Sequence, residues 1–249
     1  MYLFLHNESL LVRGNKKKNQ VPPEGLIWQL LSDTNVVSLS NAVSSWVTKD
    51  SLHSFNQTTS GIQPVIDSSD LLNGIAPIRF TNDYLISASS VNLPIGADPF
   101  TISCLVRCRS ALGTGGDTNY SYIWGYGGTV NTDQPRALGC RRSGSTVWWG
   151  YTSAVSSIDS DDSYPYLITM TYDGLILKLY RNIVLIGSGE EYRDTRETQF
   201  TIGTWLSVLS ERVADCSFWE ISTWNKSISS LELSRYINYI NNRYKLNLT

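Results

Sequence analysis

The chain has 249 residues, 41% of them apolar and 17% charged, with a formal net charge of −2. That length can bury a large core as a single all-β domain, and so small a charge leaves no electrostatic footprint for nucleic acid or an anionic membrane surface. No run approaches the roughly twenty apolar residues of a membrane-spanning helix.

Residues 1–25 differ in character from the rest of the chain. The start, MYLFLHNESLLVRG, lacks the basic opening, long apolar stretch and small-residue cleavage site of a secretory signal. The expectation is a protein made in a cytoplasm and kept there, or released by lysis. Asn15-Lys16-Lys17-Lys18-Asn19 reads as a solvated loop, and Val21-Pro22-Pro23 stiffens an extended connector. The whole stretch reads as an arm, an edge strand followed by a linker, able to dock on a partner or a neighbouring copy. Lys16, Lys17, Lys18, Pro22 and Pro23 are its expected anchoring residues.

From Leu26 the pattern is that of short strands separated by polar turns. Leu26–Leu30, Val43–Trp46, Pro64–Ile66 and Ile78–Phe80 are predicted strands, with a turn at Asn73-Gly74 and a polar loop over 50–62. Asn82-Asp83-Tyr84-Leu85 leads into another strand. Thr101–Cys108 is a strong one, with Ile102, Cys104, Val106 and Cys108 toward the core and Thr101, Ser103, Leu105 and Arg107 facing outward or toward a second layer. Residues 111–121 read as a loop. Tyr122–Trp124 enters a predicted turn at Gly125–Gly128, and Ala137–Cys140 and Thr146–Tyr151 follow as strands.

After an acidic, Ser-rich loop at 156–163 comes the hairpin from Tyr166 to Gly187. Asp173-Gly174 between alternating apolar runs predicts a two-residue type I′ turn. Tyr166, Ile168, Met170 and Tyr172 share one face of the first strand. Leu175, Leu177 and Leu179 share one face of the second, and a further turn near Arg181-Asn182 opens a third at Ile183. Phe200–Gly203 and Cys216–Trp224 are the last predicted strands. The chain ends in a helix over 229–244: Ser229 and Glu232 form a capping box, Ile228 and Leu233 a hydrophobic staple, and Leu233, Tyr236, Ile237, Ile240 and Tyr244 one apolar face.

Four cysteines, Cys104, Cys108, Cys140 and Cys216, lack zinc-ligand spacing. Cys104 and Cys108 are about 13 Å apart along a strand, too far for a disulfide. Free, buried thiols are the expectation for all four.

Three passages carry a family resemblance: NGIAPIRF with NDYL (Asn73–Phe80, Asn82–Leu85); Pro99–Ile102 with Tyr166–Gly189; and Cys216–Leu246. Together they resemble the laminin G-like jelly-roll branch of the concanavalin A-like lectin/glucanase superfamily, over roughly 26–246. The resemblance implies an all-β, antiparallel two-sheet jelly-roll sandwich with one C-terminal helix. Ile183 stands where that branch commonly has glycine, so the turn there is expected to differ.

Because the superfamily includes glycosidases, carboxylate pairs matter. Retaining glycosidases need two carboxyls about 5 Å apart. The dense cluster at 190–197 puts Glu191 and Glu197 roughly 20 Å apart along a strand, and Arg193 and Arg196 among them suggest a solvated, ion-paired loop. Asp215 and Glu220 are isolated, His6 and His53 lack a nucleophile elbow, and no phosphate-cradling glycine motif is present. The expectation is a protein that is not an enzyme.

For binding, Trp124, Tyr126, Trp148, Trp149 and Tyr151 gather on two neighbouring hairpins as candidates for stacking on a glycan or for an interface. Trp148 and Trp149 are adjacent, so on a strand one of them leaves the core. Asp159, Asp161 and Asp162 could offer oxygens to calcium, although a solvated loop is the plainer reading and no other cofactor is expected.

The functional expectation is a virion structural protein of a bacteriophage. Its arm would hold it to the particle, and its lectin-like domain would serve adhesion to host-surface polysaccharide (tail fibre) or capsid decoration. The expected partners are other virion proteins and copies of itself, as a homotrimer, with no nucleic acid and no membrane insertion. A free-standing or exported carbohydrate-binding module is the alternative, and a glycoside hydrolase a remote one.

Overall fold

A computed structural model describes residues 24–110, 121–127, 138–143, 145–150, 153–156, 164–190, 195–204 and 215–249. Seventeen strands lie among them. In chain order they are β1 (Leu26–Leu31), β2 (Val36–Leu39), β3 (Ala42–Val47), β4 (Ser54–Asn56), β5 (Val65–Ile66), β6 (Ile78–Phe80), β7 (Leu85–Ser90), β8 (Phe100–Ser110) and β9 (Ser121–Tyr126). They continue as β10 (Leu138–Ser143), β11 (Ser145–Gly150), β12 (Ser153–Ser156), β13 (Tyr166–Tyr172), β14 (Ile176–Arg181), β15 (Val184–Glu190), β16 (Gln199–Ile202) and β17 (Asp215–Trp224), before helix α1 (Ser230–Tyr244). The protein is all-β and antiparallel with one C-terminal helix.

Two runs of ladder can be traced. In one, β17 is flanked on one side by β1 and β6 and on the other by β8, and β8 leads through β13 and β14 to β15. The other runs β2, β3, β4, β7, β16, β9, β10, β11 and β12. The expectation of two separate sheets is modified by β5, which pairs with both β3 and β6 and makes the hydrogen bonding continuous. Aromatic rings from the two runs meet in the core: Trp28 of β1 lies 5.4 Å from both Phe55 of β4 and Phe200 of β16, ring centre to ring centre.

Alternation along the strands decides what fills that core. Phe100, Ile102, Cys104, Val106 and Cys108 of β8 point into it with Tyr166, Ile168, Met170 and Tyr172 of β13. The opposite face of the same run carries Leu105, Leu167, Trp219 and Trp224, which α1 covers with Leu233, Tyr236, Ile237 and Ile240. Each such fully buried side chain contributes about 1.5–3 kcal/mol. The helix start is as expected: the Ser229 side chain accepts from the Glu232 N–H, and the Glu232 carboxylate accepts from the Ser229 N–H.

Several expectations are corrected. The Asp173-Gly174 turn is not type I′: only Gly174 has positive φ, and Asp173 closes a wider loop by accepting from the N–H groups of Leu175 and Ile176. Leu175 is consequently exposed, whereas Leu177 and Leu179 are buried. The next turn is Asn182-Ile183, with Asn182 at φ 54° and its side chain accepting from the Leu167 N–H on β13. Gly125 and Tyr126 continue β9 instead of opening the turn expected at Gly125–Gly128. Strand β4 lies in the stretch expected to be a loop, whereas β2 and most of β12 lie where the sequence reading assigns no element.

The cysteine expectation also changes. β8 and β17 are neighbours in a register that sets Cys108 directly opposite Cys216, and the two form a disulfide with Cα atoms 4.1 Å apart. Cys104 is a free, buried thiol, and burial raises its pKa.

Candidate functional site

The outward face of the β6–β17–β8 ladder divides into two parts. One end is sealed by α1 and built around Glu220. A β-bulge at Phe218–Glu220 turns this carboxylate toward the helix, where it is fully buried. Its Oε1 accepts from Gln29 (2.6 Å), Tyr236 (2.9 Å) and Ser222 (3.2 Å), and its Oε2 from Tyr244 (3.1 Å) and Tyr239 (3.4 Å). Arg243 lies 4.0 Å from Oε2 and is held by Asp33. Burial raises the pKa of Glu220 against the pull of these donors, and burial with the nearby carboxylate raises those of Tyr236 and Tyr244. Shut off from solvent, the group clamps the helix to the sheet.

The other end carries charge at the surface. Register sets Arg79 (β6), Ser217 (β17) and Arg107 (β8) in one row, with Arg109 two residues along β8 and Asp215 two residues along β17. The turn after β5 adds Asp67 and Asp70. Asp70 Oδ2 accepts from both Arg107 and Arg109, and Arg109 also donates to Ser217 Oγ at 2.7 Å. Asp67 is occupied on one oxygen by Ser69, which holds its pKa below the ordinary value. Arg79 is held more loosely: its Nε is 3.6 Å from Asp215 Oδ1 and its Nη1 3.9 Å from Asp67 Oδ2. Burial, with Arg107 and Arg79 close by, lowers the pKa of Arg109.

The expected aromatic contacts divide differently from the sequence reading. Trp124 and Tyr126 are core residues, each 1% exposed. Trp124 stacks on Phe200 at 5.7 Å, and the Tyr126 hydroxyl donates to the Leu93 carbonyl. Neither ring can meet a ligand, because β9 lies mid-sheet between β16 and β10 and both rings face the core. Trp148 and Trp149 lie on β11, paired to β10 on one side and β12 on the other. Tyr151, the candidate calcium ligands Asp159, Asp161 and Asp162, and the arm residues Lys16, Lys17, Lys18, Pro22 and Pro23 lie outside the described residues.

Of the cluster at 190–197, Glu197 accepts from Ser90, and residues 191–194 are outside the described set. Asn82 and Asp83 close a turn, with Asp83 accepting from the Thr81 N–H. Sequence reasoning passed over Arg79, Arg109, Asp67 and Asp70, and it treated Asp215 and Glu220 as isolated. The one local signal was Arg107 and Arg109 at alternating, outward positions of an otherwise apolar strand.

No protein-family model and no curated protein matches the chain. Solved structures do. A Trypanosoma rangeli sialidase in complex with sialic acid aligns over 90% of this chain and 34% of its own, with TM-score 0.59 and 13% identity. The same sialidase with 2,3-difluoro-KDN aligns over 90% and 33%, at 0.58 and 12%. The binding domain of Paraclostridial Mosquitocidal Protein 1 aligns over 90% and 54%, at 0.57 and 14%. The chain thus spans about a third of the length of the sialidases it matches, and identities this low establish a shared fold.

These matches correct the expectation that the chain is not an enzyme. Its fold occurs within chains named as sialidases, which are enzymes, so a lectin-like arrangement of strands is no ground for excluding catalysis.

Proposed function

We propose that this chain is a lectin-like, glycan-binding domain on a two-sheet jelly roll of the concanavalin A/laminin G-like kind. The observation that carries this reading is the fold match: over 90% of its length the chain aligns with part of a sialidase and with part of the binding domain of a mosquitocidal protein. The two runs of ladder that meet in the core and the helix closing one outer face support the jelly-roll assignment. Trp148 and Trp149, consecutive on β11, are the proposed stacking residues, because alternation sends neighbouring side chains to opposite faces. A glycan array tests this. The wild-type protein should bind, and either Trp148→Ala or Trp149→Ala should lose the signal while melting as the wild type does. Undiminished binding by both variants would remove these tryptophans from the site.

A finer reading places the domain on a bacteriophage particle, as a trimeric adhesin or capsid decoration held by residues 1–25. Its support is the composition of the arm, with Lys16–Lys18 and Pro22-Pro23 before the domain. The Cys108–Cys216 bond is also consistent with it, since disulfides persist on virion and cell surfaces and in secreted proteins but are rare in cytosol. The bond suits an exported carbohydrate-binding module equally. Deleting residues 1–25 separates the two: loss of particle incorporation by a still-folded protein supports the anchor, and unchanged incorporation ends it.

A further inference from the structure

In the charged row on β6, β17 and β8, Arg79 is held only by long ion pairs, and Asp67 Oδ2 lies 3.9 Å from Arg79 and 3.8 Å from Arg109. Among the described residues, the Arg107 and Arg109 side chains donate to Asp70 and Ser217, whereas the Arg79 Nε has no hydrogen-bond partner. Its neighbours, Asp215 Oδ1 at 3.6 Å and Asp67 Oδ2 at 3.9 Å, are beyond hydrogen-bond length. Asp215, itself 8% exposed, leaves that Oδ1 without a hydrogen-bond partner. The Arg79 side chain is the most open of the three arginines, at 35% exposure against 21% and 23% for Arg107 and Arg109.

We infer that Arg79 and Asp67 form a subsite for a hydroxyl group of an uncharged sugar residue. A hydroxyl is the group that fits a donor and an acceptor 3.9 Å apart: its oxygen accepts from the guanidinium and its proton goes to the carboxylate, each at about 2.8 Å. The charge around Arg79 selects against acidic sugars. Two carboxylates already lie within 4.0 Å of its guanidinium, so a third, brought by the ligand, would meet like-charge repulsion with no uncompensated cation to offset it. The committed pairs on Arg107, Arg109 and Asp70 hold the row in place and leave Arg79 as the group free to exchange partners.

This inference rests on the glycan-binding reading and narrows its ligand class. The test is an array carrying matched uncharged and carboxylate-bearing glycans, probed with the full chain as wild type, Arg79→Gln, Arg79→Lys and Asp67→Asn, each with a melting curve. Uncharged glycans should bind the wild type. Each variant should weaken that binding at least about tenfold, the loss of one charge-assisted hydrogen bond, with melting close to wild type. Arg79→Lys and Asp67→Asn decide the matter if Arg79→Gln does not fold. Full binding by the folded variants, or wild-type binding confined to acidic glycans, overturns the subsite and leaves the lectin-like reading standing. No binding by the wild type to any glycan overturns both.

Discussion

Cys108 and Cys216 face each other across the β8–β17 ladder, 108 residues apart in sequence and 4.1 Å apart at Cα. The residues on either side of each cysteine point the other way and build the charged row: Arg107 and Arg109 on β8, Asp215 and Ser217 on β17. The bond therefore joins the two strands at the level where the outer face carries its polar groups.

Removing that bond should be costly, because closing so long a loop restricts the unfolded chain. The double variant Cys108→Ala/Cys216→Ala is expected to lose about 2–5 kcal/mol, read as a lower urea midpoint than the oxidised wild type. Equal midpoints would show that the disulfide does not form.

Glu220 joins five donors from β1, β17 and α1. Glu220→Ala leaves the Tyr239 hydroxyl and Gln29 without their acceptor and opens a buried cavity, and should cost about 3 kcal/mol or more. The pH response has a definite sign. A pKa raised in the fold means stability present below the ordinary value of 4.5 and lost as pH rises through the folded value. Glu220→Gln should abolish that loss, so stability against urea, followed upward from pH 4, should decline less in the variant than in the wild type. Parallel curves would contradict it.

At the start of α1 the sign reverses. Lys226 and the Ser229 N–H bring the Glu232 pKa down to about 2. Its contribution is therefore present above 4.5 and lost as pH falls toward about 2. Ser229→Ala should cost about 1 kcal/mol at neutral pH and should reduce the acid sensitivity of the helix signal in circular dichroism. An unchanged acid transition would count against the cap.

Gly203 has φ +84°, and a Cβ there would sit 2.6 Å from the Asp83 carbonyl oxygen and 2.7 Å from the Phe80 ring. Both neighbours are held, one in a turn and one in the core. Gly203→Ala should destabilise by more than about 1 kcal/mol, measured as a fall in melting temperature. A neutral substitution would mean that the turn is free to move.

How far the sequence reveals this molecule depends on how local each signal is. The cap and stripe of α1 are contained within Ile228–Tyr244, and the structure has them as expected. The alternation of β8 and β13 is equally local, and it correctly separates core from outer face. The Asp173-Gly174 turn shows the limit of a local rule: the Asp173 side chain competes for the loop's N–H groups and widens it. β2, β4 and β12 are only three or four residues long, and exist because neighbouring strands pair with them.

Long-range partners are the least legible. Nothing near Cys108 announces Cys216, and Glu220 in CSFWEISTW reads as an isolated charge until a bulge and three tyrosines from α1 enclose it. Trp124 and Tyr126 satisfy the composition of a stacking surface, yet their place mid-sheet against Phe200 makes them core. Arg79 and Asp67 become neighbours only through the pairing of β5 with β6.

The central claim is that the chain binds glycans, and titration of the purified full chain against an array of defined glycans tests it most directly. The account predicts saturable binding to at least one glycan, competed by the same sugar free in solution. Absence of saturable binding across the array, by protein shown to be folded, would contradict it.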